Sequence, residues 1–148
     1  MKTSFKILFP FVIYVISSFT AYAQTGRFYT TDGGLSSSLI NHFFQDSKGF
    51  MWTATEYGLN SFDGLRFANY WHVSGDSTSI KNNYVRTLFE DSRQNLLIGC
   101  IDGLMRYDRE TNTFSEIPMI RAGKQVFPHV TQMQELHNGE IWMTTTGQ

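Results

Sequence analysis

Four histidines and two aspartates are the side chains that could support metal binding or acid–base catalysis. The histidines lie far apart in the chain, without the short spacings that zinc sites use: His42, His72, His129 and His137. Asp46 and Asp91 each begin a turn sequence, where a carboxylate accepts backbone N–H bonds. An acid–base pair would instead need two carboxyl groups that converge on one substrate. We therefore expect structural roles for these residues and predict no catalytic residue, metal or cofactor.

The single cysteine and a glycine pair also favour structural roles. Cys100 cannot form an internal disulfide, and on the predicted strand 95–100 we expect it to be a buried, small apolar residue. The Gly33-Gly34 pair lacks the strand, helix and lysine that accompany a phosphate-binding loop, so we interpret it as a turn.

The charge balance excludes a basic nucleic-acid-binding module. The 148 residues include 12 Lys or Arg and 13 Asp or Glu, so the formal net charge is -1. Such a chain has no long-range field to attract nucleic acid. We predict that this segment binds no nucleic acid.

Residues 1–23 have the three parts of a secretory signal. Two lysines precede an apolar run at 7–19, and Ala21-Tyr22-Ala23 forms the small-residue cleavage site before Gln24. The run is shorter than the roughly 20 apolar residues of a membrane span. We predict export with cleavage between Ala23 and Gln24, the alternative being a retained anchor.

After residue 38 the chain repeats with a period of 45 residues. The repeat places three residues of a first unit in register with three of a second: Asp46, Gly58 and Asp63 with Asp91, Gly103 and Asp108. A second step carries Val85 to Val130 and Leu97 to Trp142. A third copy therefore begins, and the sequence stops at Gln148 before its Gly-Leu pair.

Within each unit the apolar residues alternate, which predicts short β-strands rather than helices. The predicted strands are 39–45, 50–55, 58–63 and 66–71 in the first unit, and 84–90, 95–100, 103–108 and 112–117 in the second. Turn sequences at 46–49, 91–95 and 138–139 separate the first two strands of each unit.

Four strands in each 45-residue period are typical of a β-propeller blade. The predicted fold is all-β, with antiparallel four-stranded blades and an incomplete ring. The expected organisation is a signal peptide at 1–23, an N-terminal strand and lead-in at 24–38, blades at 39–82 and 83–127, and a truncated third blade at 128–148. Both faces of a blade are apolar, so the remaining blades of a longer parent are the expected packing partners.

Loops at one rim of a propeller are the predicted binding surface, because rigid blades hold them in place. Trp52 and Trp142 occupy the same repeat position, which favours a role in the core between blades, whereas Trp71 lies outside the shared pattern. An aromatic face could stack on a sugar ring. The predicted ligand-binding residues are Glu56, Tyr57, Trp71 and Asp102. The alternative is that these loops are ordinary hairpin connections.

The repeat resembles the two-component regulator propeller repeat. The resemblance rests on Gly34-Leu35-Ser36, the segment from Ile40 to Thr55 with its Asp-x-x-Gly turn and Met51-Trp52 strand, and the segment from Tyr57 to Gly64. The second unit departs from this pattern, since Leu97 replaces the tryptophan and Gln94-Asn95 displaces the turn glycine.

This resemblance implies a periplasmic ligand-sensing propeller of a hybrid two-component sensor. Such parents combine a membrane helix with a histidine kinase, a receiver and a DNA-binding output domain, and often detect oligosaccharides. The resemblance thus implies an oligosaccharide ligand, a homodimeric parent and no enzyme activity in this segment. Two alternatives remain: a secreted propeller that binds protein or carbohydrate without a kinase, and a propeller hydrolase or lyase.

Overall fold

The computed structural model describes residues 26–146. The predicted signal peptide and its cleavage site at Ala23 and Gln24 lie outside the described residues. Within 26–146, no helix has the length and apolar character needed to cross a bilayer.

The described chain forms two four-stranded antiparallel sheets followed by two two-stranded ones. The first sheet contains β1 (Ile40–Gln45), β2 (Met51–Thr55), β3 (Gly58–Phe62) and β4 (Phe67–Tyr70), paired in chain order. The second contains β5 (Val85–Glu90), β6 (Leu96–Cys100), β7 (Gly103–Asp108) and β8 (Thr113–Ile117), with the same order. These eight strands confirm the predicted all-β fold, and each boundary lies within one residue of the prediction.

The chain after the second sheet forms two hairpins. The short strands β9 (Met119–Arg121) and β10 (Lys124–Val126) pair with each other, and β11 (His129–Glu135) pairs with β12 (Ile141–Thr146). The β9–β10 hairpin was not predicted. Its turn places both Ala122 and Gly123 at positive φ, and alanine at such a position gives no turn signal in the sequence.

Residues 26–38 differ from the prediction of an N-terminal strand within 24–38. The described part of this segment contains a 3-10 turn at Thr31–Gly33, and no strand is found between residues 26 and 39. Gly34 follows at φ 108°, where a side chain is disfavoured. The lead-in is held instead by Asn side chains of the first sheet: the amide N–H of Ser36 donates to Asn60 Oδ1, and Asn69 Nδ2 donates to the Gly34 carbonyl.

Apolar side chains between successive sheets form two cores. The core between the first and second sheets includes Trp52, Leu59, Val85 and Ile98, each at most 2% exposed. The core between the second sheet and β11–β12 contains Leu97, Leu104 and Val130. These sheets pack face to face. A side chain at a given repeat position is therefore buried only when a neighbouring sheet covers the face on which it lies.

Trp142 shows the consequence of this rule. Trp52 and Leu97, its counterparts in the first two units, are 2% and 3% exposed, whereas Trp142 is 64% exposed. The prediction that Trp142 lies in the core between blades is therefore not met in the described chain, because no described sheet packs on that face of β12. Phe43, the counterpart of the buried Leu88, is 70% exposed on the opposite outer face for the same reason.

Asp46 organises the turn between β1 and β2. One carboxylate oxygen accepts the backbone N–H groups of Lys48 and Phe50, each at 2.9 Å. The other accepts the Trp52 indole and the Arg109 guanidinium, each at 2.7 Å. Burial would raise the pKa of this carboxyl, but these hydrogen bonds outweigh burial and lower it below its ordinary value. The structural role predicted for Asp46 is confirmed.

A second polar contact joins neighbouring units at the same end of the strands. The amide and hydroxyl of Ser47 both donate to the Glu90 carboxylate, at 2.7 and 3.0 Å. One repeat later, Ser92 donates to Glu135 in the same way, at 2.7 Å for both bonds. We call this pair of contacts the Ser–Glu clamp. It fixes the turn of one unit to the first strand of the next.

Glu90→Gln is expected to lower the free energy of unfolding of the intact protein by about 2 kcal/mol, because the clamp and an ion pair to Arg109 lose a charged acceptor. Glu135→Gln is the matched control, because Glu135 accepts the same two serine bonds but does not contact Arg109. We expect this control to lower the free energy of unfolding by about 0.5 kcal/mol. Urea unfolding measures both variants, and equal losses would contradict the role given to the Arg109 contact.

Candidate ligand-binding rim

The predicted binding residues lie at the end of the sheets opposite the Ser–Glu clamp. The β2–β3 turn carries Glu56 and Tyr57, Trp71 follows β4, and Asp102 lies in the β6–β7 turn. Antiparallel order brings these turns to one end of their sheets. We call this end the candidate rim.

Trp71 packs against the β2–β3 turn at Gly58. Gly58 has φ 124°, and a Cβ placed there would lie 2.8 Å from the Tyr70 carbonyl oxygen and 3.0 Å from Trp71 Cδ1. Only glycine permits so close an approach of the indole edge and the backbone. Trp71 is nevertheless 49% exposed, and Tyr57, next to Gly58 in the chain, is 62% exposed. The structure therefore brings two solvent-accessible aromatic rings to one turn.

The segment Asn82–Tyr84 links the two units at the candidate rim. The Asn83 carbonyl accepts the Gly58 amide at 2.7 Å, and Asn83 Oδ1 accepts the His72 amide at 2.7 Å. The Tyr84 hydroxyl donates to Glu56 Oε1 at 3.1 Å. Glu56 is therefore held by the next unit, and its carboxylate is oriented before any ligand arrives.

Asp102 has a different environment from the aromatic pair. Its Oδ2 accepts a hydrogen bond from Asn82 Nδ2 at 3.2 Å, while its Oδ1 is buried and has no hydrogen-bond partner. Tyr57 and Asp102 occupy the same repeat position, 45 residues apart, and both precede a glycine at positive φ. The structure thus places Asp102 on the same rim, one blade further along.

His42 and Cys100 have the structural settings expected from the sequence. His42 Nδ1 accepts the Leu88 amide at 3.1 Å, and burial lowers the pKa of this histidine, so its ring is neutral at pH 7. Burial also raises the pKa of the Cys100 thiol to about 12. Among residues 26–146, no group of three His, Cys, Asp or Glu side chains is arranged to hold a metal ion.

Sequence reasoning did not identify Asn82, Asn83 and Tyr84 as rim residues. The predicted strand 84–90 includes Tyr84, residues 82 and 83 lie on either side of the predicted blade boundary, and a single asparagine or tyrosine there has no motif. The repeat carries one usable signal: Tyr84 directly precedes β5, His129 begins β11 one period later, and the two rings lie 6.3 Å apart.

A family model matches the part of the chain that forms the first hairpin and its rim turn. The model describes the two component regulator propeller and matches residues 34–57. This span holds β1, the Asp46 turn, β2 and the exposed Tyr57. Residues 34–57 therefore match the two-component regulator propeller repeat. The four-stranded sheets stacked at a 45-residue period are the blades that such propeller repeats form.

Solved structures and a curated protein resemble this propeller segment. The extracellular domain of a hybrid two component system of B. thetaiotaomicron is 30% identical with a TM-score of 0.69, covering 79% of this chain and 17% of that one. A second such extracellular domain is 26% identical with a TM-score of 0.66, covering 80% of this chain and 17% of that one. A histidine kinase of Formosa agariphila is 35% identical over 77 residues, which are 49% of this chain and 6% of that protein. The chain spans only a small part of these relatives.

Proposed function

We propose that this chain is the N-terminal part of an extracytoplasmic ligand-sensing propeller in a hybrid two-component sensor. The observation that carries the proposal is the likeness, at 30% identity and a TM-score of 0.69, to the extracellular domain of such a system. In this proposal residues 1–23 direct export, and blades 39–82 and 83–127 continue into further blades. The sensor acts as a homodimer whose kinase lies across the membrane.

The ligand in this proposal is an oligosaccharide that contacts the candidate rim. Tyr57 and Trp71 offer exposed ring faces, and sugars present C–H groups that pack on such faces. Glu56, fixed by Tyr84, offers carboxylate oxygens to sugar hydroxyls. Binding rather than catalysis is supported by the roles of Asp46 and Asp91, whose carboxylates accept the N–H groups of their own turns.

A ligand can regulate a kinase only if it binds two states of the sensor with different affinity. In this proposal the 82–84 segment transmits that difference, because its hydrogen bonds join the rim turns of two blades. Binding at the rim would therefore act on the packing between blades.

The test is calorimetric titration of the intact exported protein with neutral and acidic oligosaccharides of three to five sugars, followed by kinase autophosphorylation in membranes. We expect Trp71→Ala and Tyr57→Ala each to weaken binding about tenfold, equivalent to about 1.4 kcal/mol. Leu65→Ala is the control, since Leu65 is 85% exposed in the β3–β4 turn at the opposite end.

Two outcomes would overturn parts of this proposal. Oligosaccharide binding that is unchanged in both aromatic variants would remove the candidate rim as the site. Binding without any effect on autophosphorylation would favour the alternative of a secreted binding propeller that has no kinase.

A further inference from the structure

The first strand of each unit contains a β-bulge at the same repeat position. In β1 the pairing with β2 shifts between Ile40 and His42, in β5 between Val85 and Thr87, and in β11 between Val130 and Gln132. The extra residues are therefore Asn41, Arg86 and Thr131, which are spaced by 45 residues. A bulge redirects the side chain of its extra residue and is common beside binding sites.

The three bulge side chains line one groove. It has a volume of about 930 Å³ and runs across the first strands of the three units. Two of the bulge side chains already have partners: Asn41 Nδ2 donates to the Val85 carbonyl at 2.8 Å, and Thr131 Oγ1 is 2.7 Å from Thr144 Oγ1. Arg86 is exposed and has no hydrogen bond or ion pair within the described chain.

The groove is positively charged, because its described lining contains Arg86 and no Asp or Glu. His42 also lines it but is neutral at pH 7, since burial lowers its pKa. An unpaired guanidinium in a groove whose other lining side chains are neutral polar or apolar favours an anion, and its planar donors match a carboxylate with two parallel hydrogen bonds. Elsewhere in the described chain Arg109 illustrates this preference, since it pairs with Asp46 and Glu90.

We propose that this groove is a subsite for the carboxylate of an acidic oligosaccharide and that Arg86 binds the carboxylate directly. The inference rests on the proposed function, which supplies the oligosaccharide, and adds its chemical class: a sugar chain that contains uronic acid. Asn41 and Thr131 flank Arg86 at equivalent positions and contribute neutral polar atoms that can contact the sugar hydroxyls.

The test titrates the intact protein with trimers of galacturonate, mannuronate and guluronate, and with the methyl ester of each, which removes the charge but keeps the sugar. Xylotriose and cellotriose are the neutral probes. We expect at least one uronate trimer to bind, with its methyl ester at least tenfold weaker. Arg86→Gln should weaken the acidic trimer at least tenfold and leave the ester unchanged, and Arg86→Lys should recover only part of the loss.

Arg93→Gln is the matched control, because it removes the same charge from an exposed residue in the β5–β6 turn, at the opposite end from the candidate rim. It should bind the uronate trimer as the unchanged protein does. Matching thermal unfolding curves of the two variants would exclude a folding defect.

The outcomes separate this inference from the proposed function. Equal affinity of Arg86→Gln and unchanged protein for a uronate trimer would overturn the carboxylate subsite, and so would binding of the neutral trimers alone. In both cases the proposed oligosaccharide sensor would survive. Binding of none of the probes would overturn the subsite and count equally against the oligosaccharide ligand.

Discussion

Trp52→Ala is expected to lower the free energy of unfolding by about 4 kcal/mol, the range seen when a large aromatic side chain leaves a packed core. Trp52 is 2% exposed, and its ring lies 5.8 Å from that of Tyr70 and 4.9 Å from that of Tyr107. The substitution also removes the indole N–H that donates to the Asp46 carboxylate. Urea unfolding of the intact protein measures the loss.

The second blade offers a control, because a residue other than tryptophan donates to its turn carboxylate. There Leu97 stands at the Trp52 position, and Asn95 Nδ2 donates to Asp91 Oδ2 at 2.7 Å in place of the indole. The residue of the first blade at the Asn95 position is Phe50, which is 39% exposed. Trp52→Leu combined with Phe50→Asn therefore copies the second blade into the first.

We expect the added Phe50→Asn to recover about 1 kcal/mol of the loss caused by Trp52→Leu, because it restores one hydrogen bond to a charged acceptor. Phe50→Asn alone should give no such gain, since the indole already occupies that oxygen. The interaction free energy from this double-mutant cycle is the decisive quantity. A value of zero would mean that the tryptophan acts through packing alone.

Asp46→Asn is expected to lower the free energy of unfolding at pH 7 by about 3 kcal/mol, the lower end of the cost of breaking a buried ion pair. Asp46 is 4% exposed, and the change leaves the Trp52 and Arg109 donors facing an amide. Arg109 keeps its bond to Glu90, which limits the cost.

The pH dependence of stability follows from the lowered pKa of Asp46. Burial would raise this pKa, and the hydrogen bonds from Trp52 and Arg109 reverse the sign and bring it below its ordinary value of 3.8. A carboxyl with a lowered folded-state pKa stabilises the protein above its unfolded-state pKa, and the stabilisation is lost as pH falls through the folded-state value. This stabilisation is therefore lost below about pH 4.

Unfolding measured between pH 7 and pH 3 tests this sign. The unchanged protein should lose stability more steeply below pH 4 than Asp46→Asn. Asp91→Asn is the matched control, because Asp91 Oδ2 accepts a hydrogen bond from Asn95 and none from an arginine. This substitution should lower the free energy of unfolding by about 1 kcal/mol. An acid loss as steep in Asp46→Asn as in the unchanged protein would contradict the assignment to this carboxyl.

The sequence alone determined the eight strands of the first two blades, their order and the repeat, but not the β9–β10 hairpin. Alternating apolar residues and turn residues such as Asp46 and Gly49 act over a few positions, so their meaning does not depend on distant parts of the chain. The 45-residue period then predicted similar environments for equivalent residues, and this expectation identified Trp52 as a core residue and Asp46 and Asp91 as turn residues.

The tertiary structure decided which of these positions are buried and which polar groups meet. Trp142 shares its repeat position with Trp52 but is exposed, because burial depends on a neighbouring sheet rather than on the residue itself. Glu56 meets Tyr84, and Arg109 meets Asp46 across 63 residues, because turns of different blades lie side by side only after the sheets stack. Only the fold identifies Arg86 as an unpaired cation at a bulge. A bulge depends on the register between two paired strands, so the sequence of one strand does not predict it.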